Sequence, residues 1–486
     1  MTAASAETEF LASPSGRRVT VVGLGHFGGG VGAARHLARL GARVTVTDLK
    51  DEARLAPAVA ALGDLPDIRF RLGGHDRADF LEAELLCLSP AVPREAPLVR
   101  EALAAGVPVT SEIALFVSQC RSRRTVGVTG SNGKTTTTSF LGSILDAAGV
   151  PHVVGGNIGV SLLDRLDSIG EEDVVVLELS SFQLEDLARL SFSPALAVVT
   201  NVVPNHLDRH GTFAAYVEAK RNIVRHQGEE GVAVLSALDP VVREFAASTR
   251  GRAAFFADGP PRPGLPGVFT RGGRAVSCRG GDEDEEETLF PLASIRLPGA
   301  FNALNALAAA AAARELGVGA EAIARGVGAF RGVPHRLEAI GEIGGVRFFN
   351  DSKATTPEAA ALALAAFESP VVLIAGGYDK KVALDPLASE AARRCRAAVL
   401  IGETAPAIAA AIGELGRSGI VSEARSLEEA VRLAFARAAK GDVVLLSPGC
   451  ASYDMFSNFE ERGDLFRALV GALRGREGGS RENGTG

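Results

Sequence analysis

The run Thr129-Gly130-Ser131-Asn132-Gly133-Lys134-Thr135-Thr136 follows the apolar stretch Thr125 to Val128 and opens the segment Thr135 to Ala148. A strand, a glycine turn, then a lysine and a hydroxyl at a helix start restrict the surrounding fold to a parallel α/β sheet with a phosphate cradle at its strand ends. Backbone N–H groups in the turn point at phosphate oxygens, the helix dipole favours anions there, and the lysine neutralises charge between phosphates. The spacing marks Gly130, Ser131, Asn132, Gly133, Lys134, Thr135 and Thr136 as ATP-type contacts, with the Thr135 hydroxyl placed for Mg²⁺. The strict pattern has glycine where this chain has Val128, so the fit is to the variant Gly130-x-x-Gly133-Lys134-Thr135. A flexible turn with a solvated lysine is the bland alternative, against which the flanking strand and helix weigh.

Short β-branched runs alternate with alanine- and leucine-rich segments along all 486 residues, which predicts about three α/β blocks. The first, 1–113, has strands at Arg18 to Val22 and Arg43 to Asp48; the second, 114–332, carries the phosphate loop, strands near Asp173 to Leu177 and Leu196 to Thr200, and a helix from Asn302 to Leu316. The third, 333–486, has strands at Val346 to Phe349, Val371 to Ala375, Ala398 to Ile401 and Val443 to Leu446. Residues 258–288, rich in Pro and Gly and ending in an acidic run, read as an inserted surface loop, and the tail from about 474 reads as disordered. Net charge is −7, from 51 basic and 58 acidic residues, which argues against a nucleic-acid binder and is compatible with anionic small substrates. Five scattered cysteines with no CxxC pair indicate a reducing compartment, and no stretch is long enough to span a membrane, so a cytoplasmic protein is expected.

Polar residues follow the apolar runs in each block: Lys134, Glu178, Asn201, Asp351, Asp379 and Ser447. Open α/β sheets bind ligands beyond the carboxyl ends of their strands, so these positions predict a ligand cleft. Gly23-Leu24-Gly25-His26-Phe27-Gly28 with Asp48 matches a dinucleotide fingerprint and, read alone, predicts an NAD-dependent dehydrogenase. The irregular glycines that continue through Gly29, Gly30 and Gly32, and the second phosphate site, favour instead a nucleoside diphosphate attached to a substrate. A carboxylate such as Glu178 on the strand beside a phosphate loop suits Mg²⁺, which prefers one or two carboxylates plus phosphates; a solvated strand-end glutamate is the alternative. His206 and His210 lack a third ligand at zinc-like spacing, and a histidine serving a magnesium-phosphate site is the better reading. Arg336 lies at a block junction, where a guanidinium can reach a phosphate or form an ordinary linker ion pair. Lys220 reads as a solvated helical lysine.

The stretches TGSNGKTTT (129–137), GGNIG (155–159), LELSSFQLE (177–185), TNVVPNHLDRH (200–210), PHR (334–336), NDSKAT (350–355), GGYDKK (376–381) and LSPGCASYDMFSNFEERGDLF (446–466) together resemble the Mur ligase family, and the last two its glutamate-adding branch. Ser89-Pro90 and Ser111-Glu112 resemble the same branch. The resemblance implies a Rossmann-like N-terminal lobe for UDP, a central P-loop ATPase-type domain and a Rossmann-like C-terminal lobe. It implies that ATP activates the carboxylate of UDP-N-acetylmuramoyl-L-alanine as an acyl phosphate, which the amine of glutamate attacks in a monomeric, cytoplasmic enzyme; D- and L-glutamate both stay open. By position, Lys134, His206, Lys220 and Arg336 match catalytic residues. Thr135, Glu178, His206 and a carbamylated Lys220 match ligands of two Mg²⁺. Asn302, Asn305, Arg336, Asp351 and Lys353 match the nucleotide-binding set, and Gly25, Asp48, Ser89, Asn157, His206, Thr355, Lys380, Ser452 and Phe459 match substrate-binding positions. The chain departs from the family in a glycine turn about two residues longer, in Phe301 for histidine, Thr356 for asparagine and Gly449 for alanine.

Overall fold

A computed structural model describes residues 9–24, 28–65, 67–158, 161–260, 265–279, 286–380 and 382–482. The chain divides into two compact units, Met1–Ser294 with Leu304–Gly328, and Ile295–Ala303 with Ala329–Gly486. The first unit contains two sheets. Strands β1 (Arg18–Val22), β2 (Arg43–Asp48), β3 (Arg69–Leu72), β4 (Leu85–Leu88) and β5 (Val109–Ser111) pair all-parallel in the order β3-β2-β1-β4-β5. The chain leaves β1 toward β2 on one side and returns to β4 on the other, so the carboxyl end of β1, at Gly23, is a switch point where ligands bind.

The second sheet of this unit runs β14-β13-β12-β11-β10-β9-β6-β8-β7. Its parallel part comprises β6 (Arg124–Thr129), β7 (His152–Gly156), β8 (Val174–Glu178), β9 (Leu196–Val199), β10 (Val232–Ser236), β11 (Arg252–Phe256) and β12 (Gly267–Arg271). β6 sits between β9 and β8, so the phosphate loop leaves the sheet at its own switch point. β8 is buried along its whole length, as a central strand covered on both faces must be. One cover is the helix Lys134–Ala148, which packs on β6, β7 and β8. In the helix Ala300–Glu315 the stretch Ala306–Ala313 is entirely buried; alanine lets a helix lie close without a bulky interface. No helix among the described residues is long and apolar enough to cross a membrane.

Residues 258–288 are not simply a loop. β12, β13 (Arg274–Cys278) and β14 (Glu287–Pro291) extend the sheet, with β12 parallel to β11 and both later pairs antiparallel. Gly272 and Gly273, at φ 56° and 75°, make the two-residue turn of the β12–β13 hairpin. Residues 261–264 and 280–285 of that stretch lie outside the described residues.

In the second unit, β15 (Glu338–Ile343), β16 (Val346–Asn350), β17 (Val371–Ala375), β18 (Cys395–Leu400), β19 (Val421–Glu423) and β20 (Val443–Leu446) pair in the order β15-β16-β20-β17-β18-β19, parallel except for β15. The last helix is Phe459–Glu482, continuous through 474–482, where composition predicts a disordered tail.

Candidate functional site

The phosphate loop is held by parts of the sequence far from it. Gly130 has φ 152° and a Cβ there would lie 1.9 Å from Thr200 Oγ1; Gly133 has φ 82° and a Cβ there would lie 2.3 Å from Asn305 Oδ1. Both positions therefore need glycine, for backbone conformation and for close approach. Asn201, two residues beyond the end of β9, accepts from the Asn132 N–H (3.0 Å), donates to its carbonyl (3.0 Å) and accepts from the Ser131 N–H through its own carbonyl (2.8 Å). Ser131 Oγ also meets Tyr216 OH at 3.0 Å. The helix Lys134–Ala148 starts here, with Thr135 and Thr136 buried in its first turn. Lys134 Nζ donates to the carbonyls of Gly130 (2.9 Å) and Ser131 (3.0 Å).

Glu178 ends β8 and is 2% exposed. Its Oε1 accepts from Asn157 Nδ2 at 2.9 Å, whereas Oε2 is buried without a hydrogen-bond partner. A buried carboxylate oxygen with no donor is costly unless a cation completes it. Lys220, in the helix Phe213–Arg225, is 1% exposed and donates to Gly130 O (2.9 Å) and Thr129 Oγ1 (3.4 Å), with Nζ 4.8 Å from the Tyr216 ring centroid. Burial, then the nearby Lys134 charge, drive the Lys220 amine well below the usual lysine range, against the opposing pull of Glu178. The expected solvated face is thus a buried one. His206 caps the one-turn helix Leu207–His210 in a left-handed conformation (φ 52°) and stands edge-on to Phe182 at 5.4 Å.

These groups and the first sheet share a cleft of about 570 Å³, lined among others by Gly23, Asp48, Ser89, Asn157, Lys134 and Lys220. Asp48 braces the turn after β1: Oδ2 accepts from Leu24 N (2.9 Å) and Oδ1 from Lys50 N (2.9 Å), and each oxygen keeps a further lone pair toward the cleft. Gly25 lies outside the described residues. At the start of the helix Glu112–Gln119, Glu112 reaches the same cleft; burial pushes its carboxyl up to about 7, and Ser161 Oγ donates to it at 2.5 Å.

In the second unit, three neighbouring strand ends converge. Asp351, after β16, is fully wrapped: Ser447 Oγ, after β20, donates to Oδ2 (2.7 Å) and Leu337 N to Oδ1 (3.1 Å), and burial raises its pKa to about 7. Arg336 is flanked by His335 and Leu337, non-glycine residues at φ 62° and 42°, a strained turn of the kind that persists when surrounding contacts enforce it. Lys353 N donates to His335 O (3.0 Å), and Lys353 Nζ lies 5.8 Å from the Phe459 ring. Arg462, 1% exposed, ties Ser352 to the Cys450 and Ala451 carbonyls and so orders the approach to Ser452. Lys380, after β17, is exposed, and Thr355 is half-buried.

Of the sequence-predicted residues, Lys134, Thr135, Glu178, Lys220, Asn157, Ser89 and Asn305 thus gather in the first unit, and Arg336, Asp351, Lys353, Ser452 and Phe459 in the second. Asn302 opens the helix Ala300–Glu315 in the second unit, one turn before Asn305, and its Nδ2 donates to Pro298 O at 2.6 Å. Asn201, one of the polar residues expected at a strand end, proves to brace the phosphate loop. Tyr216 and Arg462 were not selected from sequence, although Tyr216 precedes Lys220 by one helical turn. No cluster of three or more His, Cys, Asp or Glu suited to a metal occurs among the described residues.

Residues 17–111 match the Mur ligase MurD-like N-terminal domain, 128–313 the Mur ligase middle domain and 335–450 the Mur ligase glutamate ligase domain. A UDP-N-acetylmuramoylalanine--D-glutamate ligase of Symbiobacterium thermophilum is 43% identical over 456 residues, covering 94% of this chain and 98% of the relative. The enzyme of the same description from Geobacter metallireducens is 43% identical over 459 residues with the same coverage. Among solved structures, MurC of Thermotoga maritima superposes with a TM-score of 0.60 at 19% identity, over 94% of this chain and 99% of that one, and MurF of Acinetobacter baumannii with 0.57 at 18%, over 95% and 98%. Those likenesses show the three-domain α/β fold. With all three of its sheet-bearing regions matched and relatives above 40% identical along nearly its whole length, the chain belongs to the Mur ligase family.

Proposed function

We propose that the protein is an ATP-dependent, ADP-forming ligase that joins D-glutamate to UDP-N-acetylmuramoyl-L-alanine, acting as a monomer in the cytoplasm. The observation that carries this reading is one cleft lined by Gly23 and Ser89 of the glycine-turn lobe and by Lys134, Lys220 and Asn157, with Asn157 bonded to Glu178, whose other carboxylate oxygen is buried without a partner. A phosphate loop alone serves hydrolysis as well as transfer; a second lobe over it supplies room for an anionic acceptor. The D-glutamate ligases of similar sequence support the choice of substrates.

In this reading residues 1–113 hold the UDP end of the precursor, 114–332 the ATP, and 333–486 glutamate and part of the nucleotide. Gly25, Asp48, Ser89 and Asn157 serve the precursor; Thr355, Lys380, Ser452 and Phe459 serve glutamate; Asn302, Asn305, Arg336, Asp351 and Lys353 serve the nucleotide. A precursor carboxylate oxygen bonds to the γ-phosphorus as the bond to ADP breaks; the glutamate amine then bonds to the acyl carbon, inorganic phosphate leaves and the amine gives up a proton. Carboxylates are poor electrophiles, and phosphorylation provides the leaving group. Lys134 and Arg336 neutralise the charge on the moving phosphoryl group.

Glu178, Thr135, His206 and Lys220 would hold two Mg²⁺, and the orphaned Glu178 oxygen fits that role. Bound Mg²⁺ would neutralise phosphate charge and orient the reacting oxygens. A neutral Lys220 amine adds to CO₂, forming an N–C bond and releasing a proton, and the resulting carbamate is an anion in place of a cation. Release of ADP that requires both the UDP precursor and glutamate, and that is much faster with the D than the L enantiomer, is the expected result. ADP release indifferent to the precursor would overturn the ligase reading.

A further inference from the structure

Arg209 lies in the helix Leu207–His210, a single turn whose length gives it little stability of its own, so tertiary contacts decide where it sits. That turn carries His206 at its start. His210 fixes one side of it, with Nε2 3.0 Å from Ser181 Oγ and its ring stacked on Phe182 at 5.1 Å. Arg209 fixes another. Its guanidinium Cζ stands 4.5 Å from the Phe182 ring centroid, and its fork is spent on three consecutive carbonyls of the other lobe: Nη1 donates to Pro90 O (3.1 Å) and Ala91 O (3.4 Å), and Nη2 to Val92 O (3.3 Å).

The acceptor of that fork is itself part of the cleft. Residues 89–92 form a turn closed by Val92 N donating to Ser89 O at 2.9 Å, and Ser89 N donates to Val22 O at the end of β1. The turn packs on the first glycine after β1, since a Cβ on Gly23 would lie 3.0 Å from Ser89 Cβ and 3.2 Å from Val92 Cγ2. A continuous chain of contacts therefore runs from the glycine turn through Ser89–Val92 and Arg209 to His206. A planar guanidinium suits three fanned carbonyls and an aromatic face at once; an ammonium does not.

We infer that Arg209 is a positioning residue for the acceptor substrate. It holds the Ser89–Val92 turn and the His206 helix in one fixed relation, so that a nucleoside-diphosphate-linked carboxylate held by the first lobe arrives in line with the phosphate loop. This rests on the ligase reading given above, and no atom of Arg209 is asked to touch the reacting groups.

The test uses the full-length protein and the variants R209A, R209K and R209Q. Amide exchange of residues 89–92 is measured without substrate, and steady-state rates are measured with UDP-N-acetylmuramoyl-L-alanine varied at saturating ATP and D-glutamate. Faster exchange at 89–92 in R209A, a precursor KM raised roughly tenfold to a hundredfold with the KM for ATP changed less than about twofold, and partial restoration by millimolar guanidinium are the expected results. R209K should recover less than half of the lost precursor affinity. Unchanged exchange and precursor KM in R209A, or KM values for all three substrates rising together with a fallen Tm in both R209K and R209Q, would overturn the inference. Failure of the wild-type protein to release ADP with its precursor would instead strike the ligase reading, and the exchange comparison would still decide whether Arg209 holds the turn.

Discussion

The burial that removes Lys220 from water, with the nearby Lys134 charge, pulls its amine well below the usual lysine range, and this gives its replacement a distinctive signature. K220A leaves a small cavity beside the Gly130 carbonyl and Thr129 hydroxyl that a short carboxylate can enter. The variant should lose most ligase activity, and millimolar formate or acetate should restore part of it, measured as ADP release; wild-type activity in K220A would exclude the carbamate. Asp351 makes a second residue-scale prediction. Its folded pKa of about 7 lies above its ordinary 3.8, chiefly from burial, so the folded state binds the proton more tightly than the unfolded chain. Its contribution to stability is present in full below about pH 4, declines as pH rises toward 7 and is constant above that. D351N mimics the protonated acid, so its Tm relative to wild type should rise steadily between pH 5 and 7 and level off beyond; a difference independent of pH would refute the raised pKa.

The phosphate loop and the helix Ala300–Glu315 are locked together at Gly133, where a methyl group would both enforce a left-handed alanine and strike Asn305. G133A should cost about 2–4 kcal/mol by urea unfolding, from backbone strain plus overpacking, and should abolish nucleotide binding. This element was legible because its signals are local: a β-branched strand, two glycines and a helix start within a dozen residues. Lys220 was not, because Glu218 and Arg221 beside it mimic a solvated face and its burial comes from packing against the end of β6. The β12–β14 extension was missed for the opposite reason. Proline, glycine and acidic composition outweighed the signal that mattered, Gly272-Gly273 between two alternating runs. Asp48 shows a third limit, since sequence places it after a strand but not its two backbone hydrogen bonds.

Across the whole molecule, the first unit contains both the glycine turn and the phosphate loop, so precursor binding should be felt there as a local gain in stability. UDP-N-acetylmuramoyl-L-alanine alone should slow amide exchange in peptides covering 23–30 and 89–92, and leave the core strands β17 and β20 of the second unit unchanged; equal protection in both would contradict that assignment. The nine-stranded sheet has a further practical consequence. Five inter-strand steps separate β6 from β13, about 24 Å at the usual strand spacing. The connection between Cys278 and Glu287 is accordingly a site at which a fluorophore or affinity tag can be inserted to follow the working enzyme without disturbing the loop that holds its nucleotide.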